Sequence, residues 1–108
     1  MEKVINLNKL FSTADAEDVE FTCDGYDLKV SYVNWEGKAF TLLFPQMEYM
    51  VVTDDIDYKK YRGDCPHQVV NSELVESKNF DPEFCHYMLC FNAWSNIEII
   101  SLELQVVS

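Results

Sequence analysis

Alternation of apolar and polar positions with a period of two runs through most of this chain. Val19, Phe21 and Cys23 alternate with Glu20 and Thr22. After the turn signal Asp24-Gly25, Tyr26, Leu28, Val30 and Tyr32 alternate with Asp27, Lys29 and Ser31. This is the pattern of antiparallel strands with one face in a core. Asn34-Trp35-Glu36-Gly37-Lys38 predicts a tight reversal with Gly37 at positive φ. Residues 39–44 are apolar almost throughout and predict a strand covered on both faces; Pro45 ends it. Met47, Tyr49 and Val51 alternate up to Thr53.

Residues 54–64 break the pattern. They are polar and mixed in charge, and they predict a long exposed loop carrying Ile56, Tyr58 and Tyr61. Residues 71–78 predict a short helix, with Asn71 or Ser72 as cap and Lys78 near the end. Residues 84–91 predict a strand buried on at least one face, and 92–96 a hairpin loop. The last run, 97–107, holds two phases: Ile97 and Ile99 in one, Ile100, Leu102, Leu104 and Val106 in the other. A bulge near Ile99, or a strand that passes from one packing environment to another, reconciles them. Near the start, Leu7, Leu10 and Phe11 are spaced for one turn of helix, and 12–18 reads as a polar loop. The expected fold is mainly β (α+β): one antiparallel sheet of about six strands, curled into a barrel or a two-layer sandwich, with one short helix between the fourth and fifth strands. Residues 1–108 are expected to form a single domain.

Charge changes the picture. Nineteen Asp and Glu against eight Lys and Arg give a formal net charge of -11, although 48% of residues are hydrophobic. The chain is therefore expected to fold, and to wear a negative coat that repels nucleic acid and anionic membrane and attracts basic protein. The densest basic cluster, Lys59-Lys60-Arg62, sits among Asp54, Asp55, Asp57 and Asp64, which argues against phosphate binding. No apolar run is long enough for a signal peptide or a membrane span, so the cytoplasm is the expected location. Cys23, Cys65, Cys85 and Cys90 read as reduced structural thiols.

The motifs of catalysis are sparse. His67 and His86 are the only imidazoles, and Cys85-His86 are strand neighbours that point to opposite faces. Cys65 and His67 are separated by Pro66, which suggests a turn, and no second pair completes a zinc site. Asp55 and Asp57 lack the glycine and the distal Glu of a calcium loop, and three scattered glycines build no phosphate cradle. The reading is of a non-enzyme with no cofactor and no metal. Two acidic groups are the best functional lead: Asp15, Glu17, Asp18, Glu20, Asp24 and Asp27, and then Asp54, Asp55 and Asp57. Side by side they would steer a basic partner, with nearby aromatics as anchors. Otherwise the acids only keep a β domain soluble.

The run Phe21-Thr22-Cys23-Asp24-Gly25-Tyr26-Asp27-Leu28, then Trp35-Glu36-Gly37-Lys38 leading to Leu42-Leu43-Phe44, resembles small uncharacterised bacterial proteins. So do the later segments Asn71 to Leu74, His86-Tyr87 and Ile97 to Ile100. Some of those proteins look like immunity proteins encoded beside polymorphic or contact-dependent toxins. The resemblance spans about residues 18 to 104 and carries over no functional residue. It implies an acidic domain that occludes a basic site on a partner such as a toxin. Asp54, Asp55, Asp57, Tyr58 and Tyr61 are the expected contacts, with Trp35 and Trp94 as further ones. Two alternatives remain: a ligand-binding barrel with Phe40, Leu42, Met47, Tyr49 and Met88 around a cavity, and a homodimer paired through an edge strand, for which 97–107 is the candidate.

Overall fold

The computed structural model describes residues 1–91 and 94–107. They form nine strands in two antiparallel sheets. The five-stranded sheet runs β1 (Lys3–Asn6), β6 (Pro66–Val70), β7 (Cys85–Leu89), β8 (Asn96–Ser101), β5 (Tyr49–Thr53). The four-stranded sheet runs β2 (Glu17–Asp24), β3 (Asp27–Val33), β4 (Ala39–Phe44), β9 (Gln105–Val106). Neither closes into a barrel, and the helix α1 (Glu73–Ser77) lies between β6 and β7. The single sheet of about six strands is thus corrected to two sheets. The strands it lacked are short or have no regular apolar alternation. β6 begins at Pro66, where a missing N–H is tolerated, and β9 has only two residues.

The core lies between the sheets. Leu28, Val30 and Tyr32 of β3 and Leu42 and Phe44 of β4 meet Tyr87 and Leu89 of β7 and Ile97 and Ile99 of β8. Edge-on ring pairs stitch the layers: Phe44 to Tyr87 at 5.5 Å and Tyr32 to Phe91 at 5.4 Å. β4 is only half as covered as its apolar run predicts, since Thr41 and Leu43 are part-exposed. β2 keeps the predicted phase, with Phe21 opposite Val30 and Cys23 opposite Leu28. Both are nonetheless exposed, because β2 is an edge strand. The hairpin between β3 and β4 forms as expected: Asn34 Oδ1 accepts the N–H groups of Glu36 and Lys38, and Gly37 takes φ 79.

The two phases of 97–107 are resolved by a change of sheet. β8 ends at Ser101, and the chain crosses to pair β9 with Leu42 and Leu43 of β4. β8 itself is held between β7 and β5, whereas β9 lies at the edge of the four-stranded sheet, so only the end of 97–107 offers a free strand edge. Ile100 is buried on the opposite face from Ile97 and Ile99, because that outer face is covered too.

The segment 54–65 covers part of it. Tyr61, Val69, Met88 and Cys90 form a second buried cluster, joined by Val4 and Ile56. The expected exposed loop is therefore a strap across the sheet, with Tyr61 and Cys65 buried under it. Four of the five residues assigned to a ligand cavity divide between the two clusters: Leu42, with Phe40 and Met47 beside it, is in the main core, and Met88 is in the outer one; Tyr49 belongs to neither, and its ring lies under Lys78 Nζ. They do not line one cavity. The turn after β1 forms, with Leu10 and Phe11 N–H both donating to Leu7 O. Of the hairpin predicted over 92–96, residues 92 and 93 lie outside the described residues.

Candidate functional site: an acidic and aromatic cleft

Between the strap and residues Phe91, Trp94 and Asn96 lies an open cleft of about 430 Å³, lined also by Asp54, Tyr58, Gly63 and Asp64. Its geometry follows from the pairing of β5 with β8. Thr53 lies opposite Asn96, so the next residues, Asp54 and Ser95, are neighbours, and Ser95 Oγ donates to Asp54 Oδ1 at 2.8 Å. The strap then makes one turn. Asp57 Oδ1 accepts the Lys59 N–H at 2.9 Å, and its carbonyl accepts the Lys60 and Tyr61 N–H groups. That turn points Tyr58 out, 71% exposed, and Tyr61 in, 6% exposed. Gly63 lets the Tyr58 ring lie close to the backbone: a Cβ there would sit 3.2 Å from Tyr58 Cε1.

Trp94 forms the opposite wall. Its ring stands edge-on to Phe91 at 6.0 Å and to Phe21 at 6.1 Å. The contact with Phe21 joins two parts of the chain that sequence left unrelated. Phe21 belongs to β2, the strand that carries Glu17, Asp18, Glu20 and Asp24. The strand β2 therefore passes beside the cleft that holds Asp54 and Asp64, with Glu20 turned to the face opposite Phe21.

The cations near the cleft are largely engaged. Lys60 pairs with Glu2 and stands over the Tyr61 ring, and Arg62 pairs with Asp64 at 3.2 Å. The Lys60 ammonium holds the Glu2 carboxyl below its usual range, by direct hydrogen bonding against some desolvation. The cleft thus offers the Asp54 carboxylate, and an Asp64 carboxylate already shared with Arg62, beside π faces, an arrangement that suits a guanidinium or ammonium group.

Of the residues expected to bind, Asp54, Tyr58 and Trp94 come together. Asp55 is exposed beside them, outside the lining, with its N–H donated to Thr53 Oγ1. Asp57 shapes the turn. Tyr61 is a core residue, which corrects its assignment as a contact: its ring lies edge-on to His67 at 5.3 Å. Trp35 is 62% exposed on the β3–β4 hairpin and does not line the cleft. Phe21, Asp64, Phe91 and Asn96 were missed as site residues. Only Asp64 carried a signal, its place in the charged strap.

The cysteine–histidine arrangement differs from the expected one. Pro66 opens a strand, not a turn, and His67 Nδ1 lies 3.8 Å from Cys90 Sγ. His67 Nε2 accepts the Arg62 N–H at 2.9 Å, and Nδ1 faces Met88 O at 3.2 Å. Burial lowers the His67 pKa and pushes the Cys90 thiol up to about 12. This is a neutral, satisfied core pair with no thiolate. Among the described residues no group of three or more His, Cys, Asp and Glu is arranged to hold a metal ion. No helix there is long and apolar enough to cross a membrane. No protein-family model matches the chain, and searches of curated proteins and of solved structures find no match.

Proposed function

We propose that this chain is an acidic protein-binding domain of the immunity or inhibitor kind, which covers a basic site on a partner protein such as a bacterial toxin. The observation that supports it is the meeting of Asp54, Tyr58, Asp64 and Trp94 in one cleft, with the acidic strand β2 attached through Phe21. A partner's Arg or Lys enters between the Tyr58 and Trp94 rings, and the carboxylates at the mouth pair with it. The surrounding charge steers the approach and sets the rate of association, while the aromatic walls set the lifetime of the complex. With a net charge of -11, nucleic acid and anionic membrane are not the partners.

The test uses the full chain as bait in lysate of its native host, beside the double variant Asp54→Asn, Asp64→Asn and the single variant Trp94→Ala. The expected result is one basic protein held by the native chain at low salt, released by high salt and lost by the double variant. The isolated partner's activity should be suppressed by adding the native chain. Equal capture by all three proteins, or no suppression, removes the reading.

A second reading has its own observation. β5 is a sheet edge, and its Val51 and Val52 are both exposed. A second copy pairing along this edge would bury them. A molar mass that doubles with concentration, and that Val52→Lys restores to one chain, supports it; a constant mass rejects it.

A further inference from the structure

The outer face of the five-stranded sheet carries a hydrogen-bonded chain of three side chains that the cleft does not use. Ser72 Oγ lies 2.8 Å from His86 Nδ1, and His86 Nε2 lies 2.8 Å from Glu98 Oε2. Their placement follows from topology. Asn71, at φ 56, turns the chain after β6 so that Ser72 comes over the sheet. Val69 and Ile100 flank His86 on the neighbouring strands, and Glu98 is two residues from Ile100, on the same face.

Connectivity assigns the protons. A carboxylate only accepts, so His86 Nε2 carries the hydrogen toward Glu98. Ser72 Oγ already accepts the Val75 N–H at 3.2 Å. In the neutral imidazole, whose one hydrogen is on Nε2, Nδ1 is left as an acceptor, and the Ser72 hydroxyl hydrogen is directed at it. The imidazole is 2% exposed, which holds it in this orientation. A hydroxyl, a base that receives its proton and a carboxylate that orients the base are the three parts of an activated serine.

Ser72 also opens onto a groove of about 960 Å³, whose walls include the apolar side chains of Val70, Val75, Phe80 and Phe84. Glu2 stands at the same groove, its Oε2 accepting the Glu73 N–H at 2.8 Å beside Ser72. None of these residues lines the acidic cleft.

We propose that Ser72 is a nucleophile for acyl transfer, with His86 as its base and Glu98 as a positioning residue, and that the groove accepts a carboxylic ester with a short apolar acyl chain. Ser72 Oγ attacks the ester carbonyl carbon as its proton passes to His86 Nδ1. The bond from the carbonyl carbon to the alcohol oxygen breaks, and the departing oxygen takes that proton. Water then attacks the acyl-Ser72 carbonyl, giving its proton to His86, which returns it to Ser72 Oγ as the acid leaves. The net change is ester plus water to alcohol plus acid. The proposal does not depend on the protein-binding reading.

The experiment treats the full chain with an alkyl fluorophosphonate and, separately, with p-nitrophenyl butyrate, in the native protein and in Glu2→Ala, which clears the carboxylate from beside Ser72. Intact mass and peptide mapping should show one phosphonyl adduct, on Ser72, and ester turnover should follow it. Ser72→Asn retains a good helix cap, so its fold survives, and it should lose both signals. Glu98→Gln should slow phosphonylation, and His86→Gln should slow it by about a hundredfold or more. Far-UV circular dichroism and melting show which variants are folded, and Ser72→Asn decides the matter if His86→Gln is not. Absence of an adduct in both the native chain and Glu2→Ala overturns the proposal. So does an adduct that maps elsewhere, or one that forms at the native rate in folded Glu98→Gln and His86→Gln.

Discussion

Tyr58 and Tyr61 share one turn and meet opposite environments. Asp57 closes that turn, and the geometry leaves one ring in the cleft and the other between the strap and the sheet. Their substitutions should differ accordingly. Tyr61→Ala empties part of the outer cluster and should cost about 3–5 kcal/mol, whereas Tyr58→Ala should change stability by less than about 0.5 kcal/mol. Urea unfolding of the two variants measures both. His67 makes a second residue-level prediction. Its pKa in the folded chain is lowered, first by burial. The unfolded chain therefore binds its proton first, and the stabilisation is complete above the unfolded value of about 6.5. It is lost as pH falls through the depressed folded value. Stability measured from about pH 8 down to about pH 5 should decline, and His67→Gln should remove part of that slope.

At the scale of elements, the strands that announced themselves are those with one buried face and regular alternation. β3 is the clearest, with Leu28, Val30 and Tyr32 buried and Asp27 and Lys29 exposed. α1 was legible through its cap: Ser72 Oγ accepts the Val75 N–H, as the residue type predicts. β6 was not legible, because Pro66, His67 and Gln68 interrupt any apolar alternation and both its faces meet other parts of the fold. The β3–β4 hairpin rests on Gly37 at φ 79, where a Cβ would meet no atom but the backbone conformation disfavours any side chain. Gly37→Ala should therefore cost about 1–2 kcal/mol through backbone strain alone. A fall in melting temperature with an unchanged circular dichroism spectrum at low temperature is the expected observation.

For the whole molecule, β7 is the shared wall of two hydrophobic clusters. Tyr87 and Leu89 face the main core, and Met88 faces the outer one under the strap. The two clusters should unfold together. Leu42→Ala in the first and Met88→Ala in the second should each cost about 2–5 kcal/mol. Each should shift one transition, coincident by tryptophan fluorescence and far-UV circular dichroism. Two separated transitions in Met88→Ala would show that the strap opens independently. Charge also acts at this scale. Nineteen acidic side chains against eight basic ones repel one another in the compact state. Added salt should therefore raise the melting temperature while it slows association with a basic partner.

The sequence by itself determined the β character, the phase of β2, β3 and β8, the capped helix and the negative charge. These are local or compositional: side-chain direction alternates along one strand whatever it pairs with, and a cap lies within one turn of the donor it satisfies. The two phases of 97–107 even carried the passage of the chain from one sheet to the other. Only the tertiary structure decided which faces were covered. That choice turned an apparent loop into a strap, buried Tyr61, and left Phe21 at an open edge against Trp94. It also brought Ser72, His86 and Glu98 into one hydrogen-bonded line, with gaps of fourteen and twelve residues along the chain. The neighbour that sequence weighed for His86 was Cys85, which a strand turns to the other face. The partners His86 does have come from β8 and from the residue before α1, and contacts across such distances depend on strand order, for which no local pattern exists.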